Sequence, residues 1–251
     1  MSDDAKIARV RALRSLWAWT VIVGATILFG VPSIFAAFVP PRGDRYLLFA
    51  RGWARTLLAA TGVRWTAAGA DSLEPGRSYV FFANHESFYD ILVLLACLPG
   101  RIRFLAKRGL FSIPILGWSM AAAGFVPIDR DDRRKAAASL DRAAEKIRDG
   151  KSVVIFPEQT RTLTGELLPF KKGGVLLALK TRHPIVPVGI AGTFPILKKG
   201  SFLLNPGAAA VEIGAPIPTE DRSIADRHAL VAESREAILL LRERARARLS
   251  R

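Results

Sequence analysis

From Gly62 onward, short apolar runs rich in β-branched and aromatic residues alternate with longer segments of helical periodicity. Strands that alternate with helices are joined by crossovers, which produce a largely parallel or mixed sheet covered by helices on both faces. The sequence therefore predicts an α/β fold for this part of the chain. The predicted strands are 63–68, 78–83, 102–106, 125–128, 152–156, 185–190 and 210–213. The predicted helices are 88–98, 115–123, 133–149, 174–181 and 225–249.

The stretch 15–41 contains no charged residue and is long enough to form a helix across a bilayer. Trp17 and Trp19 lie near its start, which suits a membrane interface. A secretory signal would have a shorter apolar core and a small-residue cleavage site, so we expect this segment to be retained. The chain is accordingly divided into an N-terminal membrane anchor with an amphipathic helix (1–61) and an α/β domain (62–251).

Positive charge on both sides of the apolar stretch argues against a simple crossing. Arg9, Arg11 and Arg14 precede the stretch, and more arginines follow it. Gly30 and Pro32 near its middle predict a break or kink. We therefore expect a hairpin-like or re-entrant anchor in preference to a single span, followed by an amphipathic helix near 46–61 that lies on the membrane surface.

The composition points to a membrane surface as the partner. Half of the residues are hydrophobic, the mean hydropathy is +0.23, and the formal net charge is +15 with a pI of about 10.8. Such a chain suits an anionic membrane. Nucleic acid is not expected, because the basic stretches lack interleaved aromatic residues and no recognition motif is present. The single cysteine, Cys97, gives no intrachain disulfide and is expected to pack in the core, as in a reducing compartment.

His85 and Asp90 form the strongest candidate for catalytic chemistry. His85 follows the second predicted strand, and the carboxylate comes five residues later. Five residues correspond to about 140° around an ideal helix, so the chain must bend to bring the two side chains together. Asp90 would then fix the imidazole tautomer and stabilise its charged form. The alternative is a capping box of Ser87 and Asp90, which needs no chemistry.

Other polar clusters also follow predicted strands. Lys107 follows the third strand, Asp129-Arg130 follows the fourth, and Arg161 follows the fifth. Guanidinium and ammonium groups that meet at strand ends suit a phosphate ligand. Each cluster also has a plainer interpretation, as a solvated charge patch or a structural Glu–Arg bridge. No glycine-rich phosphate loop, metal-spaced His/Cys cluster or Gly-x-Ser-x-Gly elbow occurs, so no metal site is expected and nucleotide-dependent or acyl-serine mechanisms are disfavoured.

Four sequence blocks, taken in order, resemble the 1-acyl-sn-glycerol-3-phosphate acyltransferases, the PlsC-like group. The first is an Asn-His-x4-Asp motif, the second a strand ending in Asp-Arg, the third is similar to Phe-Pro-Glu-Gly-Thr-Arg, and the fourth is an apolar strand with Val-Pro. In this chain the blocks are 84–90, 125–130, 156–161 and 185–188. The resemblance extends over 62–214, and it implies that 62–251 is an acyltransferase catalytic domain.

The resemblance implies the transfer of a fatty acyl group from acyl-CoA or acyl carrier protein to lysophosphatidic acid, without a further cofactor. His85 would act as general base and Asp90 would orient it. Arg161, with Arg130 and Lys107, would hold the acceptor's phosphate, and Glu158 would position Arg161 or the glycerol. The remaining predicted substrate-binding residues in the matching blocks are Asn84, Gln159 and Thr160.

Gln159 stands where the family usually has glycine, which leaves the acceptor open. One alternative is acylation of another lyso-lipid, such as a lyso-ornithine lipid. Another is a non-catalytic membrane-binding module, although the presence of both His85 and Asp90 speaks against it. The expected location is the inner or plasma membrane, with the catalytic domain on the cytoplasmic side.

Overall fold

A computed structural model describes residues 3–40, 44–129 and 132–250, which form a seven-stranded sheet with helices on both faces. The strands are β1 (Val63–Ala68), β2 (Val80–Ala83), β3 (Ile102–Lys107), β4 (Val126–Ile128), β5 (Ser152–Ile155), β6 (Ile185–Ala191) and β7 (Gly207–Ile213). The helices are α1 (Asp3–Ala36), α2 (Tyr46–Ala60), α3 (Tyr89–Cys97), α4 (Leu116–Ala122), α5 (Arg133–Arg148), α6 (Gly173–Thr181) and α7 (Arg227–Leu249).

The strand order is β1-β7-β6-β2-β5-β3-β4, and every neighbouring pair is parallel except β6 and β7. Every residue of β2, β5 and β6 is buried. Central strands covered on both faces carry continuous apolar runs, which is why these strands stand out in the sequence. The prediction of a mixed, largely parallel α/β sheet is confirmed.

Successive residues of β2 point to opposite sides of the sheet and so belong to different cores. Phe81 and Ala83 pack in the cluster that contains α2 and α3, whereas Val80 and Phe82 pack in the cluster that contains α5, α6 and α7. The helix-covered sheet therefore has two apolar layers, and the loops at the carboxyl ends of its parallel strands meet along one edge.

The predicted elements from residue 62 onward all occur, and most of their ends lie within two residues of the prediction. The largest difference is β7, which begins at Gly207 and not at residue 210. Its start pairs with β1, in the register Val63 with Gly207. A glycine and three alanines carry little strand signal of their own, so this pairing is fixed by the neighbouring strand.

The predicted break near Gly30 and Pro32 does not occur, because α1 continues through both residues to Ala36, and the alternative of a kink stays a prediction. The Ser33 hydroxyl donates to the Gly30 carbonyl at 2.7 Å within the same turn of the helix. Gly30 is a site of close packing: a Cβ atom there would lie 2.6 Å from Cγ2 of Ile115. Gly30 therefore allows α1 to pack closely against Ile115, the residue before α4, and it does not end the helix.

Helix α1 lies along the rest of the protein. Ser15 Oγ accepts from the Leu204 amide at 2.9 Å, Trp19 Nε1 donates to the Phe202 carbonyl at 2.9 Å, and Ala18 and Ala25 are buried. Among the described residues, 8–36 is the one helical stretch with the length and apolarity of a membrane span, and only 17% of its most apolar window is buried. Its outward surface exposes Val10, Leu13, Leu16, Trp17, Val23, Ile27, Leu28, Val31 and Phe35.

Helix α2 packs between α1 and α3, with Trp53 Nε1 donating to Thr26 Oγ1 of α1 at 3.2 Å. The apolar side chains of one face, including Leu57 and Leu58, are buried in the core of the sheet. The predicted helix is confirmed, and its predicted position on the membrane surface stays a prediction. The division at residues 61 and 62 stays a prediction.

Substitutions on the two faces of α2 should separate its core face from its outer face. Leu57 is fully buried and Leu48 is 71% exposed. We expect Leu57→Ala to lower the free energy of unfolding by about 2–5 kcal/mol, because it leaves a cavity, and Leu48→Ala to change it by less than about 0.5 kcal/mol. Urea unfolding of the detergent-solubilised protein measures both. Equal effects would show that α2 does not belong to the folded core.

Candidate active site

The imidazole of His85 and the carboxylate of Asp90 are in direct contact, with Nδ1 of His85 2.8 Å from Oδ2 of Asp90. His85 lies in the turn after β2 and Asp90 in the first turn of α3, as the bend between the two elements requires. The carboxylate favours a proton on Nδ1, which leaves the lone pair on Nε2. This is the arrangement of a general base with its orienting group.

Asp90 also organises the backbone of the turn, as the capping interpretation requires of it, and its catalytic role stays a prediction. Oδ2 accepts from the amides of Glu86 and Ser87 at 2.7 and 2.8 Å, and Oδ1 accepts from Thr193 Oγ1 at 2.5 Å. The carboxylate is fully buried and is satisfied by these donors. One side chain therefore shapes the turn and orients His85.

The His85 ring stacks on Phe156, with ring centroids 3.9 Å apart and planes inclined by 14°. Its backbone is held from both sides: the amide donates to Glu158 Oε1 at 2.6 Å, and the carbonyl accepts from the Thr162 amide at 3.0 Å. The side chain is 12% exposed and lines a cavity. Its orientation is therefore fixed while the ring remains accessible to a substrate.

Glu158 holds two backbone segments together. Its Oε1 accepts from the His85 amide, and its Oε2 accepts from the Leu168 amide at 2.8 Å. Burial raises the pKa of Glu158 to about 7, and the two amide bonds act in the opposite direction. In the described chain this carboxylate has no contact with Arg161, so the predicted role of positioning that arginine or the glycerol has no support in the geometry.

Asn84 pairs with the neighbouring strand. Its side-chain Nδ2 donates to the Ile190 carbonyl at 2.9 Å, and its Oδ1 accepts from the Ile190 amide at 2.7 Å. The side chain is buried and extends the pairing of β2 with β6 beyond the last backbone contact. Nδ2 also donates to Oε1 of Glu86 at 3.3 Å, so the amide connects the turn to the neighbouring strand, and its role in substrate binding stays a prediction.

The cavity beside His85 has a volume of about 420 Å³, within the range of small-molecule sites. Its cationic lining comes from the edge where parallel strands end: Lys107 at the end of β3, Arg161 after β5, and Lys199 after β6. Thr160 also lines it, and its Oγ1 accepts from Lys199 Nζ at 2.8 Å. None of the three cations has an acidic partner in the described residues, so an anionic ligand is favoured here.

Lys199 was missed by the sequence analysis. It lies in the connection between β6 and β7, eight residues after β6 ends, and no matched block includes it. The Lys198-Lys199-Gly200 turn was visible in the sequence. Only the fold brings this turn to the edge where Arg161 and Lys107 lie.

The apolar lining of the same cavity comes mainly from helices. Phe29 of α1, Phe49 and Trp53 of α2, and Ile91 and Leu95 of α3 contribute to it. The cavity thus joins the His85 imidazole and a cationic group to a space enclosed by hydrocarbon and aromatic side chains. An amphiphile with an anionic head and a long apolar chain matches that lining.

One predicted binding residue lies elsewhere. Gln159 lines a separate cavity of about 70 Å³, together with Lys171 and Gly173, and its φ of +61° is a conformation that favours glycine. Asp129 forms an ion pair with Arg108 at 3.6 Å. Arg130 lies outside the described residues.

Comparison with known proteins shows similarity to acyltransferases. A protein-family model described as Acyltransferase matches residues 64–191, just over half of the chain. A chloroplast 1-acyl-sn-glycerol-3-phosphate acyltransferase of Brassica napus is 44% identical over 139 residues, which are 55% of this chain and 40% of that protein. A 1-acyl-sn-glycerol-3-phosphate acyltransferase of Saccharomyces cerevisiae is 32% identical over 212 residues, 83% of this chain and 70% of that protein.

The human 1-acyl-sn-glycerol-3-phosphate acyltransferase alpha is 32% identical over 179 residues, 71% of this chain and 63% of that protein. The chain therefore spans about two fifths of the Brassica relative and larger shares of the others.

A crystal structure of the 1-acyl-sn-glycerophosphate acyltransferase PlsC from Thermotoga maritima has the same fold. The TM-score is 0.80, with 97% of this chain and 98% of that chain covered, at 23% sequence identity. The resemblance drawn from the four blocks is confirmed. By the extent of the family-model match and the coverage of the yeast relative, this protein belongs to the Acyltransferase family.

Proposed function

We propose that this protein transfers a fatty acyl group from an acyl thioester to the free hydroxyl of 1-acyl-sn-glycerol-3-phosphate, giving phosphatidic acid. The observation that carries the proposal is the cavity, which is lined by His85, by three cationic side chains and by apolar side chains. A phosphate-bearing lyso-lipid has the charge, the hydroxyl and the hydrocarbon chain that these groups complement. The named relatives catalyse reactions of this kind, according to their names.

In the proposed reaction, Nε2 of His85 removes the proton from the acceptor hydroxyl while the hydroxyl oxygen attacks the carbonyl carbon of the thioester. The tetrahedral intermediate then collapses, the carbon–sulfur bond breaks, and the imidazolium returns the proton to the departing thiolate. Asp90 stabilises the imidazolium between the two steps. No acyl-enzyme forms, and the donor is acyl-CoA or acyl carrier protein without a further cofactor.

Arg161, Lys107 and Lys199 bind the acceptor's phosphate in this proposal. Arg161 offers a planar fork suited to two phosphate oxygens, and the two lysines supply point charges. Lys199 also bonds Thr160, so the two side chains are positioned together. Holding the phosphate fixes the distance from the hydroxyl to His85, and such alignment contributes a large part of the acceleration in two-substrate reactions.

The outward apolar surface of α1 attaches the protein to the membrane in this proposal. Helix α1 contacts the rest of the protein through a hydrogen bond at Ser15 and through packing of Gly30 on Ile115. It is therefore not a transmembrane helix separated from the domain. Its exposed side chains would enter one leaflet, as in interfacial helices. The net charge of +15 favours the anionic cytoplasmic leaflet, where acyl thioesters are made.

Removing the base should abolish most of the turnover without unfolding the protein. We expect His85→Ala to lower kcat by about 10²–10⁴-fold, because general base catalysis is lost. Asp90→Asn should act in the same direction, since the neutral amide does not stabilise the imidazolium. His228→Ala, at an exposed histidine of α7, is the control and should retain full kcat. A folded Asp90→Asn protein with normal turnover would limit Asp90 to its backbone contacts.

The cations should affect the acceptor more than the donor. We expect Arg161→Ala and Lys199→Ala each to raise the KM for lysophosphatidic acid by about 10- to 100-fold, the value of a lost charge-assisted hydrogen bond. Lys198→Ala is the matched control, because that neighbouring side chain does not line the cavity. With monoacylglycerol, which lacks the phosphate, all four proteins should behave alike. A rise confined to the acyl-CoA KM would assign the cations to the donor.

The membrane proposal predicts a sharp effect of charge on α1. Leu16 and Leu28 are 66% and 68% exposed. The double variant Leu16→Glu/Leu28→Glu should bind vesicles containing phosphatidylglycerol at least about 10²-fold more weakly, because two apolar side chains no longer enter lipid. Leu240→Glu, at an exposed leucine of α7, is the control and should float with the vesicles like the unaltered protein. Equal flotation of the double variant would contradict this attachment.

A further inference from the structure

Helix α7 lies outside the segment that the family model matches, yet it reaches the turn that carries His85. The helix crosses β6 at Gly189, where a Cβ atom would lie 2.4 Å from the Arg242 amide nitrogen. Because only glycine permits this approach, the backbone of α7 sits directly on the sheet at this point. The Arg242 side chain is thereby brought into the interior, and it is 4% exposed.

The Arg242 guanidinium makes two contacts with one carboxylate oxygen. Its Nε and Nη2 lie 2.7 and 2.6 Å from Oε1 of Glu86, whose side chain is 6% exposed. Nη2 also donates to the Gly165 carbonyl. A buried arginine that joins a carboxylate to a backbone carbonyl is held in one orientation, because its planar fork loses little freedom for each bond it forms.

The two groups that Arg242 joins belong to different parts of the site. Glu86 follows His85 directly, and its amide donates to Asp90. Gly165 lies in the connection after β5, four residues beyond Arg161, with a φ of +87°. Arg242 therefore links the turn that contains His85 to the segment that contains Arg161, the residue predicted to bind the phosphate.

We propose that Arg242 is a positioning residue for acyl transfer, which fixes the His85 turn and the Arg161 segment relative to each other through Glu86 and Gly165. This inference rests on the proposed function for its kinetic consequences. The physical requirement is strict, because a displacement of about 1 Å between a base and a bound hydroxyl can lower the rate by about 10²-fold. Glu158 and Thr162 already join the same segments at His85, and Arg242 adds a third connection from the opposite layer of helices.

A role of Arg242 in stability alone must be distinguished from a role in positioning the site. Removing Arg242 also leaves the buried Glu86 carboxylate without its cation. Breaking a buried ion pair in this way destabilises a protein by about 3–5 kcal/mol. The double variant Arg242→Met/Glu86→Gln removes both charges and so removes that penalty, but it does not restore the link to Gly165. Stability and turnover should therefore respond differently to the second substitution if Arg242 positions the site.

The experiment compares kcat, acceptor KM and thermal unfolding for Arg242→Met, Arg242→Lys and the double variant. We expect Arg242→Met to lower kcat by about 10- to 100-fold with little change in acceptor KM. Arg242→Lys should recover part of the loss, because an ammonium reaches one partner. The double variant should regain thermal stability and keep the low kcat. Recovery of kcat together with stability, or a folded Arg242→Met protein with normal kcat, would overturn the proposal.

Arg248 provides a matched control on the same helix. Its Nε lies 2.6 Å from Oε1 of Glu212 in β7, away from the His85 turn. Arg248→Met should leave kcat unchanged. If Arg242→Met does not fold, the lysine and double variants still test the proposal.

A readout independent of the substrate separates this proposal from the proposed function. Diethyl pyrocarbonate modifies accessible imidazoles, and mass spectrometry distinguishes His85 from His183 and His228. We expect His85 to react faster in the double variant than in the unaltered protein, with no change in Arg248→Met. Faster reaction in a protein without activity towards lysophosphatidic acid would refute the substrate and support the positioning role. Unchanged reaction would refute the positioning role whatever the substrate.

Discussion

The Asp90 carboxylate is the group on which the arrangement of the site depends. It is fully buried and accepts from two backbone amides, the Thr193 hydroxyl and the His85 imidazole. A buried carboxylate needs such donors, because desolvation strongly disfavours an unpaired charge. The donors come from the turn after β2 and from the segment after β6, whereas the carboxylate itself belongs to α3. Satisfying one carboxylate therefore fixes three segments around His85.

Two further buried glutamates, Glu158 and Glu86, lie next to this centre. Glu158 binds the amide of His85 and that of Leu168, and Glu86 binds Arg242 of α7. Burial raises the pKa of each of these glutamates to about 7, with Arg242 lowering that of Glu86. Each carboxylate joins segments that are distant in the chain. The polar groups under the cavity are thus structural, while the cations that line it lack acidic partners among the described residues.

The helices that close the cavity also cover the core of the protein. Helix α2 directs its apolar side chains to the sheet, and α1 covers α2 while exposing its own outer surface. The same two helices provide Phe29, Phe49 and Trp53 to the cavity. The proposed lipid-facing surface and the proposed acyl site are therefore opposite sides of one thin layer, which shortens the path of a chain from bilayer to base.

The sequence alone determined the elements and the candidate catalytic pair. Continuous apolar runs and helical periodicity are local signals, so the strands and helices after residue 62 were predictable, and so was the pairing of His85 with Asp90 across a short turn. Tertiary structure decided the rest. Helix α1 continues through Pro32 and packs closely on Ile115 at Gly30, and α2 buries one apolar face in the core. Lys199 and Arg242 join the site through contacts across 39 and 156 residues of chain, a separation at which no local pattern carries a signal. Glu158 and Asn84 bind backbone atoms of distant segments, whose positions only the folded chain defines, and their role in substrate binding stays a prediction.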